Sequence, residues 1–118
     1  MNDQTSEKGL AGEQQALAYL RQQGMRPVCQ RYRCPYGEID LVMLDGACLV
    51  FVEVKLRSRG RKNDGVSAVT FQKRQRLIRA ARSYLGQYPT ELPVRFDIVE
   101  ITGEGVFHLP NAFEGSEW

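Results

Sequence analysis

The chain has 118 residues, 42% of them hydrophobic and 25% charged, and a formal net charge of +2. This is ordinary composition for one globular domain, 1–118, able to bury a core without disulfides or a structural metal. No apolar run approaches the ~20 residues of a membrane span, so a transmembrane helix is excluded and no membrane partner is expected.

The chain opens on the polar, acidic stretch Met1 to Glu7, which reads as neither a secretory signal nor a transit peptide. A cytoplasmic location is expected. A first helix is predicted from about Ser6 to Gln23, ended by Gly24, with Leu10, Ala16, Leu17 and Leu20 as its apolar stripe. Val28 to Arg33 follows as a first strand. Glu38 to Leu44 and Ala47 to Arg57 are stronger strands, joined by Asp45-Gly46 as a two-residue hairpin turn. Ser58 to Gly65 is a basic, glycine-containing loop. Thr70 is a suitable N-cap for a second helix reaching about Tyr88, which Pro89 stops. Val94 to Ile101 forms a fourth strand and Val106 to Leu109 a short fifth. The polar residues 1–5 and the tail 110–118 show no clear element and are read as the flexible ends. The order α-β-β-β-α-β-β implies an α/β sandwich with a mixed central sheet flanked by helices.

Cysteine and histidine chemistry is largely excluded. Cys29, Cys34 and Cys48 form no CxxC pair, so a zinc site and a disulfide framework are not expected. His108 is the single histidine, and no G-x-S-x-G nucleophile motif accompanies it.

Charge is distributed unevenly. Residues 55–82 hold ten of the sixteen basic residues and one acid, Asp64. That segment carries +9, so the remainder carries −7. From Val66 to Gln87 there is no acid at all. A solvated helix usually mixes both signs. A basic segment on an acidic body is the footprint of a polyanion binder, and nucleic acid is the expected partner. An acidic protein partner is the rival reading.

The strand Leu49-Val50-Phe51-Val52-Glu53-Val54-Lys55-Leu56 is nearly continuous apolar sequence, as in a strand buried on both faces. Glu53 and Lys55 interrupt it on the same face, because side chains alternate. With Asp45-Gly46 as the turn, Leu44 pairs with Ala47, Val42 with Leu49 and Asp40 with Phe51. Asp40 then lies on that same face, diagonal to Glu53. Glu13 follows Leu10 by three residues and precedes Leu17 by four, so it points from the first helix toward the sheet. Converging carboxylates repel unless protonated or neutralised by a cation. An all-oxygen set selects Mg²⁺ or Mn²⁺. Lys55 can then orient an attacking water. An internal network of these acids with Lys55 is the alternative.

Asp40, twelve intervening residues and Glu53-Val54-Lys55 resemble the D…E-x-K core of the PD-(D/E)xK, restriction-endonuclease-like nucleases. Ile39 stands where the superfamily has its proline. With Glu13 ahead of Asp40 and Gln72-Lys73 on the following basic helix, the chain is more similar to the Holliday-junction-resolvase branch. It is most similar to the YraN-like bacterial family, through Gly9-x-x-Gly12-Glu13, Ala18-Tyr19-Leu20, Gly37-Glu38-Ile39-Asp40-Leu41-Val42, Phe51-Val52-Glu53-Val54-Lys55-x-Arg57 and Arg95-Phe96-Asp97.

The resemblance implies a metal-dependent nuclease acting on DNA rather than RNA. Asp40, Glu53 and the Val54 carbonyl would hold Mg²⁺ or Mn²⁺, and Glu13 would complete the site. Lys55 would position the hydroxide. Arg57, Arg59, Arg61, Lys62, Lys73, Arg76 and Arg79 would contact phosphates, and Gln72 is an equal candidate for the site or the surface. Tyr32, Tyr36 and Phe71 are candidates for stacking on unpaired bases, with core or rim packing the favoured reading. A non-catalytic nucleic-acid-binding module of the same fold is the alternative, and the resemblance leaves a homodimer open.

Overall fold

The structure, a computed structural model, describes residues 7–57 and 71–113, with side chains from residue 11 onward. The basic loop carrying Arg59, Arg61 and Lys62 and the cap Thr70 lie outside the described residues. The element order is α1 (Glu7–Gln22), β1 (Arg26–Cys34), β2 (Gly37–Asp45), β3 (Cys48–Leu56), α2 (Phe71–Gln87), β4 (Val94–Thr102) and β5 (Gly105–Phe113). It is the α/β order expected.

The five strands form one sheet in the order β1-β2-β3-β4-β5. Only β3 and β4 run parallel; the other neighbours are antiparallel. A parallel pair needs a crossover, and α2 lies in the segment between the two strands. β3 is therefore central. Val50 and Val52 join Ala16, Leu17 and Leu20 of α1 in one buried cluster. Leu49 and Phe51 join Ile78, Ala81 and Tyr84 of α2 in the other. The helices cover opposite faces, which is why β3 reads as an apolar run rather than an alternation. α1 is closed by the amides of Gly24 and Met25, bonded to the carbonyls of Arg21 at 3.0 Å and Leu20 at 3.0 Å. This pair of bonds satisfies the last orphan carbonyls, and buried Met25 packs in the same cluster as Leu20.

Two expectations need correction. The β2–β3 hairpin pairs Asp45 with Cys48, Leu44 with Leu49 and Val42 with Phe51, a slip of two residues from the register expected. Gly46 has φ of 61° and Ala47 is not in the positive-φ region. A type II′ turn wants glycine at its first central position, so Gly46-Ala47 is the loop and Asp45 stays in the strand. A two-residue slip preserves parity, so the paired residues 41–45 keep their faces.

The second correction is β5, which continues past Leu109 to Phe113. Pairing shifts between Ile98↔Leu109 and Phe96↔Phe113. The bulged Asn111 (φ 52°) donates its amide to Asp97 at 2.9 Å. Beyond it, Phe113 stacks on Phe96 with centroids 4.9 Å apart. Asp97 is buried, and it also accepts from Arg95 through both carboxylate oxygens and contacts His108 Nε2 at 2.7 Å. Burial alone would raise this carboxyl. The bonds from His108, Arg95 and the Asn111 amide outweigh it and hold the group below the usual range.

Candidate metal centre and cationic face

The last β2–β3 pair is Leu41↔Val52. Beyond it the strands stop pairing, and continued register would set Asp40 against Glu53. There Asp40 Oδ2 accepts the backbone N–H of Val54 at 2.7 Å. The carboxylate thus satisfies an amide that the ladder abandons. It is the amide of Val54 that meets Asp40.

Asp40 stands between two groups of charges. On one side one of its carboxylate oxygens and one each from Glu13 and Glu38 lie within 4.8 Å of one another. On the other is Glu53, whose Oε2 is 3.1 Å from Lys55 Nζ. Burial, then Glu53, then Glu13 and Glu38 push the Asp40 carboxyl up to about 8, against the opposing Val54 hydrogen bond. Three neighbouring carboxylates and partial burial disfavour its ionised form. A divalent cation would remove that repulsion, and the donor set is all oxygen, as Mg²⁺ and Mn²⁺ prefer. The residues fit a hard divalent ion.

Glu38 was not among the expected ligands. The signal was present, since Glu38 and Asp40 are two apart on one strand and share a face. Glu13 reaches the cluster from α1. Its neighbour Gly12 packs so closely that a Cβ there would stand 2.6 Å from a methyl of Leu56. The glycine lets α1 approach β3 and bring Glu13 inward.

Arg31 is also new. It lies in β1 between the pairs Gln30↔Leu41 and Tyr32↔Ile39, level with Asp40. Its φ is 57°, a conformation that costs a non-glycine residue about 1–2 kcal/mol. Its Nε contacts Glu13 Oε1 at 2.9 Å. Backbone strain concentrates at functional sites, and here it accompanies a cation on a candidate ligand.

A cleft of about 280 Å³ opens at this point, lined by Gly37, Glu38, Asp40, Glu53, Lys55, Lys73, Arg76 and Leu77. Its acids come from β2 and β3, and its cations from α2 and, as Lys55, from β3. Lys55 lies against Lys73 and pulls the Lys73 ammonium below its ordinary value, through their direct contact first and their charges second. Arg76 and Arg79 are exposed along α2, and Gln72 is exposed but does not line the cleft. Arg57 does something different. It contacts Glu100 at 3.4 Å, and that carboxylate is fully buried in β4. The structure therefore assigns Arg57 at least one internal role. Tyr32 is half-buried with its hydroxyl 2.7 Å from Ser83 Oγ, whereas Tyr36 and Phe71 are exposed. No helix among the described residues is long and apolar enough to cross a membrane.

Residues 12–101 match the family model described as "Uncharacterised protein family UPF0102". The chain is 42% identical over 114 residues to a UPF0102 protein of Legionella pneumophila, covering 93% of this chain and 97% of that one. It is 48% identical over 118 residues to a UPF0102 protein of a Synechococcus strain, covering 90% and 89%. A Janthinobacterium UPF0102 protein is 44% identical over 106 residues, covering 90% and 86%.

Proposed function

This chain belongs to the UPF0102, YraN-like family, and from that premise we propose that it is a metal-dependent nuclease that hydrolyses phosphodiester bonds of DNA. The observation that carries the reading is the gathering of Glu53, Glu13 and Glu38 around Asp40 at the point where β2 and β3 part, under a helix face whose charged residues in the cleft, Lys73 and Arg76, are both cations. The acids around Asp40 each have a cationic partner, Glu13 with Arg31, Glu38 with Arg33 and Glu53 with Lys55. Those pairs do not relieve Asp40: burial and the three neighbouring carboxylates push its carboxyl up to about 8. Such perturbation in a cleft is typical of functional sites. The sequence resemblance to PD-(D/E)xK nucleases agrees with it.

The chain's residues divide the work. Asp40 is fixed by the Val54 amide and, with Glu13 and Glu38, would hold Mg²⁺ or Mn²⁺, with Glu53 on its other side as a further candidate ligand. When bound, such an ion supplies Lewis-acid polarisation of the scissile phosphate and a lowered pKa for attacking water. Lys55, beside Glu53, orients that water and stabilises charge developing on the phosphoryl oxygens. Lys73 and Arg76 draw the phosphate into the cleft, and Arg79 extends the contact along α2. These contacts carry no base code, so selectivity would lie in nucleic-acid shape, as a role in repair or recombination requires. A cytoplasmic setting agrees with the free thiols of Cys29, Cys34 and Cys48.

The test is cleavage of labelled junction, flap, single-stranded and duplex DNA with Mg²⁺ or Mn²⁺. Metal-dependent products that vanish with EDTA are expected. Intact substrates in every arm, with folded protein, would reject the reading.

A further inference from the structure

Beside the carboxylate cleft lies a second one, of about 410 Å³, lined by Tyr36, Arg79, Arg82 and Ser83. We infer that it holds an unpaired nucleotide adjacent to the scissile phosphate, with the base on the Tyr36 ring and flanking phosphate on Arg79 and Arg82. This rests on the nuclease reading and narrows its substrate to strands with unpaired bases at the cut.

Four observations carry it. The two clefts are contiguous: Gly37 lines the first and Tyr36 the second, and on α2 Arg76 lines the first and Arg79 the second. Three residues of helix advance about 4.5 Å, less than one nucleotide of extended strand. A strand anchored in the first cleft therefore reaches the second without a gap. The lining is cationic and contains no acid, so it repels other cations and favours a polyanion.

Tyr36 is 53% exposed, at the tip of the β1–β2 turn. A large aromatic this exposed, sharing a cleft with two arginines, serves no core. The floor is fixed, because Ser83 Oγ lies 2.7 Å from the Tyr32 hydroxyl and Tyr32 packs edge-on to buried Tyr84 at 5.3 Å. A ring presented this way accepts the face of a base. Bases inside a duplex already have both faces covered, whereas an unpaired base is free to stack. Phosphate contacts alone would need the arginines and not the ring.

The test is fluorescence anisotropy in EDTA, at one fixed salt concentration, with a labelled single strand and a blunt duplex of the same sequence. Wild type, Tyr36→Phe, Tyr36→Ala and Arg79→Ala are compared, and thermal melts verify that each is folded. Tyr36→Ala should weaken single-strand binding roughly tenfold, within the range for loss of one stacked base. It should leave duplex binding unchanged. Tyr36→Phe should bind like wild type, and Arg79→Ala should weaken both. Equal effects of Tyr36→Ala on both ligands, no effect on either, or no binding by wild type would overturn the inference. If the binding pattern holds while no metal-dependent cleavage occurs, the nuclease reading fails and the nucleotide site stands. If cleavage occurs without the pattern, the site alone fails.

Discussion

Asp40 accepts the backbone N–H of Val54 at 2.7 Å, across the point where β2 and β3 cease to pair. One contact therefore closes a gap in the sheet and fixes the carboxylate around which Glu13, Glu38 and Glu53 gather. Asparagine can keep the accepting oxygen and lose the charge.

That separation gives the first prediction. Burial and the neighbouring carboxylates raise Asp40 from its ordinary value of 3.8 to about 8. Between those values the folded state binds more protons than the unfolded state. Stability of the metal-free protein should then fall as pH rises from about 4 to about 8. Asp40→Asn should flatten this slope and stabilise the metal-free protein by about 1–2 kcal/mol above pH 8. Denaturant melts at pH 6 and pH 8.5 check this. A wild type that gains stability across the interval would show that Asp40 ionises freely.

Arg31 supplies the second. Asparagine tolerates the left-handed backbone that Arg31 occupies, and it removes the cation from Glu13. Arg31→Asn should change stability by less than about 1 kcal/mol, because relief of strain offsets the lost ion pair. Mn²⁺ affinity by calorimetry should rise several-fold, since a competing charge is gone. A fall in affinity would mean that Arg31 holds Glu13 in place for the metal.

Lys55 separates catalysis from packing. Were it the counter-ion on which Glu53 depends, Lys55→Ala would cost about 3–5 kcal/mol. With Mg²⁺ present and Lys73 beside the site, the fold should instead remain about as stable. Cleavage should fall by roughly 10²–10⁴, as for loss of other positioned proton-transfer groups. A melt in Mg²⁺ run beside a single-turnover assay distinguishes the two.

Arg57 was expected on DNA, yet it contacts Glu100, which is fully buried. Arg57→Ala should destabilise the fold by about 2–3 kcal/mol, reduced from a fully buried pair because part of the arginine side chain remains in solvent. Arg79→Ala should leave stability within about 0.5 kcal/mol. Urea melts of both variants check the contrast. Equal stability would return Arg57 to the phosphate-binding face.

The parts of the site written in one strand's alternation were legible in sequence. Glu53 and Lys55 interrupt an apolar run, and Asp40 shares their cleft despite the slipped register. Other parts depend on which strands become neighbours. Arg31 meets the site only through the β1–β2 register, and Arg57 meets Glu100 from a strand that follows α2. The length of β5 rests on Asn111 reaching Asp97 and Phe113 reaching Phe96, contacts that no local pattern announces. Glu38 lies at a strand start, where an acid is unremarkable, and only its spacing of two from Asp40 marks it in the sequence.

The most direct test of the central claim is single-turnover cleavage of a bound, labelled DNA junction in Mn²⁺ by wild type and Asp40→Asn, at equal occupancy set by anisotropy. Both should bind, wild type should cut, and cutting by Asp40→Asn should fall by at least roughly 10³, the scale of losing a principal catalytic group. Equal cutting by the two, or a folded wild type that binds the junction and never cuts it, would contradict the account.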